Sequence, residues 1–226
     1  MAEGVVARGK KTVIRWFERA DVDKRQRWSK HTDPLLSHND PRPMASRERD
    51  LWFLDRSVSS NYRMYAIDDL SGELIGWITL RNINMSAKTS VLGIALEPTK
   101  MDQGYGTDAL MAFFDYYFNS LGFREIWLDV AAFNNRAMRC YEKCGFRFVG
   151  KHWMEHPSSS FPPVLSDPKY KDIAHYFRRS LLGIEVLYYD MMLDRASYLQ
   201  CKANAGESPS PEEKPAKMRP RETSGR

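Results

Sequence analysis

Apolar and polar positions recur with two periods along most of the chain, and they divide it into strands and helices. "TVIRWF" (12–17) is strand-like, and "ADVDKRQRW" behind it predicts a helix that starts near Asp21. A loop follows, "HTDPLLSHNDPRP". "SRERDLWFLDRSV" then has helical spacing, with Ser46 as N-cap and Leu51, Leu54 and Val58 on one face. "YRMYAIDD" and "LIGWITLRNIN" are rich in β-branched and aromatic residues and are joined through Gly72, which predicts a hairpin. "TSVLGIALEP" is a third strand, ended by Pro98. After Gly104 and Gly106 comes a helix with Leu110, Phe113, Phe114, Phe118 and Leu121 on one face, stopped by Gly122. "REIWLDVAAF" is a buried strand, "NNRAMRCYEKC" a short helix closed by Gly145, and "FRFVGKHWMEH" and "IEVLYYDMMLD" are the last two strands. The order β, α, α, β, β, β, α, β, α, β, β specifies an α/β (α+β) fold built on a mixed sheet.

At 226 residues and 42% hydrophobic, the chain suits one domain, set here at 12–200. The sequence predicts a flexible N-terminus over 1–11. Residues 201–226 read as a disordered tail: "ANAGESPSPEEKPAKMRPRETSGR" has mixed charge, four prolines and no aromatic residue. No internal repeat is present. The net charge of +5 is spread along the chain with no basic block, which argues against nucleic acid and suits an anionic cofactor. There is no apolar run of membrane-spanning length and no secretory-type leader, so no membrane partner is expected and the cytoplasm is the expected location. Three cysteines without disulfide or zinc spacing agree with a reducing compartment.

The stretch "MDQGYGTDAL" is the main candidate for chemistry. A glycine turn entering a helix leaves the first backbone N–H groups unpaired, and their partial positive charge favours a phosphate. Gly104 and Gly106 lack a Cβ, so an anion can lie on the backbone between Gln103 and Thr107. The alternative is a plain tight turn. The third glycine of a dinucleotide fingerprint is missing, as is the lysine of a nucleoside-triphosphate loop.

About thirty residues on, "DVAAFNNRAMRCYEKCGFRFVG" has Asn134, Ala137 and Tyr141 at helical spacing before a Gly-Phe pair. With "VLGIALEP" and the glycine turn, this resembles the GCN5-related N-acetyltransferase (GNAT) superfamily, and in particular its ribosomal-protein N-terminal and polyamine acetyltransferase branch. The resemblance covers about Thr12 to Tyr198. It implies a mostly antiparallel sheet with splayed central strands and flanking helices. It further implies acetyl-CoA as co-substrate, with no metal, and an acceptor that is a small-molecule amine or a protein N-terminus. The cofactor-binding positions carried over are Ile94, Ala95 and Leu96 along the strand; Met101, Asp102, Gln103, Gly104, Tyr105, Gly106 and Thr107 in the turn; and Asn134, Ala137 and Tyr141 after it. Tyr141 would also be the general acid for the departing thiolate, the alternative being a ring that only packs. Relatives are often dimers, so a homodimer is compatible with the resemblance. A non-catalytic or differently acylating acyl-CoA-binding module of the same fold is the alternative function.

Two positions depart from the family. Met101 stands where an Arg or Gln often contacts the phosphates, and Val91 where many relatives carry a glutamate base. Glu97 reads as a surface carboxylate, and Asp129 as either a buried base or a structural acceptor. Cys140 and Cys144 are half a metal site that nothing completes. His152 and His156, four apart on a strand, are separated by roughly 13 Å, too far to share an ion. The long segment 157–183 is expected to lid the acceptor cleft, with "YKDIAHYFRRSLL" as a short helix. Asp33, Asp40, Asp167 and Asp172 are loop carboxylates that can attract a cationic amine, or serve solubility alone.

Overall fold

A computed structural model describes residues 4–155, 167–181 and 183–206. The strands are β1 (Val5–Arg8), β2 (Thr12–Trp16), β3 (Arg63–Asp69), β4 (Leu74–Asn84), β5 (Thr89–Leu96), β6 (Glu125–Ala131), β7 (Arg147–Glu155), β8 (Phe177–Arg179) and β9 (Ile184–Asp194). The helices are α1 (Arg19–Arg25), α2 (Ser46–Ser57), α3 (Tyr105–Asp115), α4 (Asn135–Lys143) and α5 (Arg195–Gly206). They build one nine-stranded sheet in the order β1-β2-β3-β4-β5-β6-β9-β7, with β8 also on β9. Every pairing is antiparallel except β5 with β6. This is the mixed, mostly antiparallel sheet that the sequence predicts. Among the described residues no helix is long and apolar enough to cross a membrane.

Strand alternation sorts the core into two layers. On β3, Tyr65 and Ile67 join the large cluster with Phe113, Phe114, Tyr117 and Phe118 from α3 and its extension. Their neighbours Met64 and Ala66 point the other way, to Val22 of α1 and Trp52 and Phe53 of α2. Helices α3, α4 and α5 therefore cover one face of the sheet, and α1 and α2 the other.

Four expectations need correcting. Val5–Arg8 is an edge strand rather than a loose end: it pairs with β2, and Val6 and Ala7 pack on the core. The turn that follows is tied to α3, since Asp108 accepts from Lys10 N (2.8 Å), Lys11 N (2.9 Å) and Thr12 Oγ1 (2.7 Å). Helix α5 continues through the start of the expected tail, because Tyr198 is buried between Phe114 and Phe118 and bonds Asp115 at 3.1 Å. On α2 the outward face is Leu51, Leu54 and Val58, which are 56%, 55% and 73% exposed, while Trp52 and Phe53 turn inward. The aromatic pair buries more apolar area than the aliphatic one, so it sets the helix rotation. The cap of α2 is Ala45, whose N–H is held by the Glu48 carboxylate at 2.7 Å. Finally, the segment expected as a helix after Lys169 forms two short 3-10 turns and then β8. Phe177 there lies opposite Val186 and stacks on Phe133 at 5.3 Å. Residues 156–166, with His156 and Phe161, and the tail beyond 206 lie outside the described residues.

A buried ion cluster joins β2, β3 and α1. Arg15 meets Asp21 at 2.6 Å and Asp68 at 2.6 Å, and Asp21 also takes the Glu18 N–H at 2.9 Å. Burial alone raises the Asp21 carboxyl, but the Arg15 guanidinium, the Glu18 amide and Lys24 outweigh it and hold the group below its usual 3.8. A carboxylate depressed in the fold contributes stability that is complete above its unfolded value and lost as pH falls through the folded one. Asp21→Asn leaves Arg15 under-compensated in the interior, and it is expected to cost about 3–5 kcal/mol in urea unfolding at pH 7. The difference from the wild type should shrink below about pH 4, as the wild type itself protonates.

Candidate active site

The site starts from a fork in the sheet. β5 and β6 run parallel for three pairs only, Thr89↔Glu125, Ser90↔Ile126 and Val91↔Trp127. Beyond them each strand keeps its outer partner, β5 with β4 to Leu96 and β6 with β9 to Ala131. The closed end is pinned by Tyr117, whose hydroxyl bonds Ser90 on β5 (2.9 Å) and donates to the Glu125 carbonyl on β6 (2.8 Å).

Along the open side the pleat decides which backbone groups face the gap. Glu97 N–H donates to the Ile75 carbonyl on β4 (2.8 Å), so Ala95 and Gly93 are also turned to β4. By alternation Leu92, Ile94 and Leu96 present their N–H and C=O groups to the gap. Of the three strand positions expected to meet a pantetheine arm, Ile94 and Leu96 thus offer free main-chain groups, and those of Ala95 belong to the β4 ladder.

The gap leads to the N-terminus of α3. Gly104 is the N-cap at φ 83°, a left-handed conformation that glycine adopts without strain, and among the described residues no side chain caps the helix. The first intrahelical bond is Asp108 N–H to the Gly104 carbonyl at 3.1 Å. The amides of Tyr105, Gly106 and Thr107 therefore precede the ladder and point outward. A Cβ on Gly106 would touch Cys140 Sγ and Leu96 Cδ1, both at 3.5 Å, so the helix lies close against the fork and α4. This donor set fits a diphosphate.

Two cations flank the turn. Lys11 Nζ donates to the Gln103 carbonyl (2.9 Å) and borders a cavity of about 310 Å³ with Asp69, Leu70, Ser71, Gln103 and Tyr105. Arg136, in the first turn of α4, reaches Met101 Sδ (2.5 Å) and stands 3.9 Å from the Asp102 carboxylate. The positive side chain that Met101 does not provide is brought to the loop from α4 instead. The reading of the sequence passed over both cations, because their contacts cross 92 and 35 positions of chain.

Asn134 caps α4, its Oδ1 accepting from Ala137 N–H at 3.1 Å, so half of its amide has a structural task. Ala137 packs against the core. Cys140 lies 3.4 Å from the Thr107 hydroxyl, and Cys144 is buried. The Cys144 thiol bonds the Cys140 sulfur, lowering the Cys140 pKa and raising that of Cys144. Tyr141 is buried with its ring 5.7 Å from Phe146. Burial, followed by the charges of Cys140 and Asp129, raises its pKa, and the phenol stays protonated. Among the described residues its hydroxyl has no hydrogen-bond partner, so it is free to donate.

A second cavity, of about 330 Å³, is lined by Val91, Trp127, Leu128, Asp129, Val149, Gly150, His152 and Asp190. Asp129 and Asp190 are directly opposed across β6 and β9, and His152 Nδ1 is 3.0 Å from Asp190 Oδ1. Beyond it Leu35, Ala131, Tyr170, Phe177 and Val186 form a small apolar cluster that joins the α1–α2 loop to the segment before β9. Asp33 and Asp167 cap the 3-10 turns that follow them, and Asp40 is bound to His31 at 2.6 Å. These three loop carboxylates are therefore in structural use. Glu97 receives the Thr99 hydroxyl at the strand end.

The sequence profile of the acetyltransferase (GNAT) domain matches residues 11–147. The chain belongs to the GNAT acetyltransferase family. One relative of this GNAT protein is the spermidine N(1)-acetyltransferase of Vibrio cholerae serotype O1, 31% identical over 84 residues. That stretch is 37% of this chain and 49% of the relative, so the match spans about half of the relative's length. The fold also resembles the crystal structure of V. cholerae spermidine N-acetyltransferase in complex with CoA and spermine. The TM-score is 0.63 at 21% identity, over 83% of this chain and 98% of the other. A chimera of that enzyme with hSSAT gives 0.63 at 20% identity, with the same coverage.

In this GNAT domain Asp108 stands between the anion turn and the N-terminal hairpin. Asp108→Ala is expected to lower stability by about 1–3 kcal/mol, the cost of stranding its donors. Hydrogen exchange at residues 5–12 should accelerate more than exchange at β6 or β9, as read by mass spectrometry.

Proposed function

We propose that the protein is an acetyl-CoA-dependent N-acetyltransferase whose acceptor is the primary amine of a small cationic molecule, a linear polyamine in the first instance. The observation that carries this reading is the fork. Its free backbone edge at Ile94 and Leu96 runs into an uncapped glycine turn, and α4, which packs Cys140 against that turn, also carries the Tyr141 hydroxyl that no described residue bonds. Family membership and relatives named for spermidine support the acceptor class. The three unpaired cysteines support the cytoplasm as its place of action.

In this reading acetyl-CoA supplies the acetyl group as a thioester. The amides of Tyr105, Gly106 and Thr107 hold the diphosphate, with Gln103 and Gly104 shaping the turn and Arg136 and Lys11 adding positive charge at its sides. Met101 and Asp102 position Arg136. Ile94 and Leu96 align the amide-rich arm, and the free half of the Asn134 side chain faces it. A main-chain N–H at the fork polarises the thioester carbonyl. Tyr141 holds its proton at neutral pH and delivers it to the leaving sulfur.

Two measurements test the proposal. Titration calorimetry should give clear binding of CoA, and at least tenfold weaker binding of adenine nucleotides that lack the pantetheine arm. In a thiol-release assay with an amine panel, Tyr141→Phe should lose roughly 10²-fold in kcat with CoA affinity within about twofold of wild type. A wild type that binds CoA but acetylates none of the amines would leave only a binding module.

A further inference from the structure

The cavity on the far side of the fork contains groups that the acid role of Tyr141 does not use. Its lining begins at Val91 and Trp127, the last paired residues of β5 and β6, and continues to Leu128 and Asp129, the first unpaired ones on β6. It therefore opens where the two strands part, which is where a thioester held along β5 would be reached from the other side. Asp129 and Asp190 face each other across the β6–β9 ladder, a placement of like charges that opposes folding unless something else compensates. Arg81 on β4 approaches Asp129 only to 3.9 Å. Asp190 has His152, whose Nδ1 is 3.0 Å from its Oδ1 and whose ring lies flat on Tyr188, 5.9 Å between centroids. Gly150 sits opposite Asp190 on β7, and a Cβ there would come within 3.3 Å of the carboxylate, so the glycine keeps the mouth of the cavity open.

This arrangement has the parts of a proton relay. Asp190 holds the ring through a charge contact, Nδ1 to Oδ1 at 3.0 Å, and Nε2 is the ring nitrogen left to take a proton from a bound amine. The ring is 41% exposed, which leaves it a route to solvent. Asp129, which the sequence left open between base and structural acceptor, lines the cavity with Arg81 3.9 Å from its carboxylate.

We propose that His152, held by Asp190, is the general base of the acetyl transfer and that Asp129 binds the incoming ammonium group. The proposal rests on the acetyltransferase reading above. The ammonium gives one proton to His152 Nε2, which passes it to solvent. The neutral amine then forms the C–N bond to the acetyl carbon as the C–S bond breaks. The sulfur takes the Tyr141 proton, and the second proton lost from nitrogen restores Tyr141. One ammonium and one thioester thus become one amide, one thiol and one released proton.

Steady-state kinetics with spermidine at saturating acetyl-CoA, measured from pH 5.5 to 9, tests this. Besides Asp190 and Tyr188 on β9, the charged groups facing His152 are Asp129 on β6 and, beyond it, Arg81 on β4. His152→Gln is expected to lose about 10²-fold in kcat/KM at pH 7 and to abolish the fall in rate on the acid side. CoA affinity by calorimetry should stay within twofold of wild type. Asp190→Asn keeps the imidazole but removes the charge that holds it, so kcat should fall about tenfold with KM for the amine within twofold of wild type, and Asp190→Glu should restore most of the rate. Asp129→Asn should raise KM for the amine tenfold or more with a smaller change in kcat.

An acetylating wild type whose His152→Gln variant keeps the rate and the acid limb would overturn this base and leave the enzyme reading standing. A wild type that acetylates no amine would overturn both. If His152→Gln fails to bind CoA and so reports misfolding, Asp190→Asn decides: an unchanged kcat in a variant that binds CoA refutes the relay.

Discussion

Three pairs of parallel backbone bonds, and the absence of a fourth, organise this molecule. A sheet gains by pairing every buried main-chain group, and two neighbouring strands that separate in mid-course leave a row of donors and acceptors without partners. The separation persists because each strand remains bound on its other side, β5 to β4 and β6 to β9. Tyr117 holds the junction by bonding both strands at once. In the proposed function these unpaired groups are the template for an extended, amide-rich ligand. In the proposed reading the gap organises the site, with the helix N-terminus beyond Leu96 and Asp129 with the His152–Asp190 pair beside the last paired residues of β5 and β6.

The two faces of the sheet divide the work. α3 and α4 bring backbone amides and cations to the anion turn, supported by a thick aromatic core around Phe113, Phe114 and Tyr117. On the opposite face α1 and α2 cover β3 and β4, and a smaller cluster lies beyond them. The cluster of Leu35, Tyr170 and Phe177 ties loops together rather than helices, and carboxylates remain in the open. Such a surface can accept a polar, cationic molecule without first giving up a large apolar contact.

The periodic elements were legible in the sequence, since Leu110, Phe113 and Phe114 on a helix, or alternating residues in β3 and β4, carry their signal within a few positions. The glycine turn that opens α3 was legible for the same reason. What escaped was decided by distant contacts. Val5–Arg8 is too short to announce itself and becomes a strand because β2 and Asp108 lie beside it. The rotation of α2 followed its aromatic residues and not its aliphatic stripe. The contacts of Lys11, Arg136 and His152 with Gln103, Asp102 and Asp190 depend on strand order, which no local pattern encodes. A polar residue inside an apolar strand was the one available sign, present in both "WLDVA" and "YYDMM".

Asp108 sits one helical turn into α3, between the bare amides at its start and the hairpin wrapped against it. Residues 10–12 are thereby fastened to a side chain one turn beyond the peptide groups that would cradle a ligand's phosphates. Occupation of that cradle and tightness of the amino-terminal arm then become two readings of one equilibrium, so a reporter placed on the arm would register the ligand without touching it.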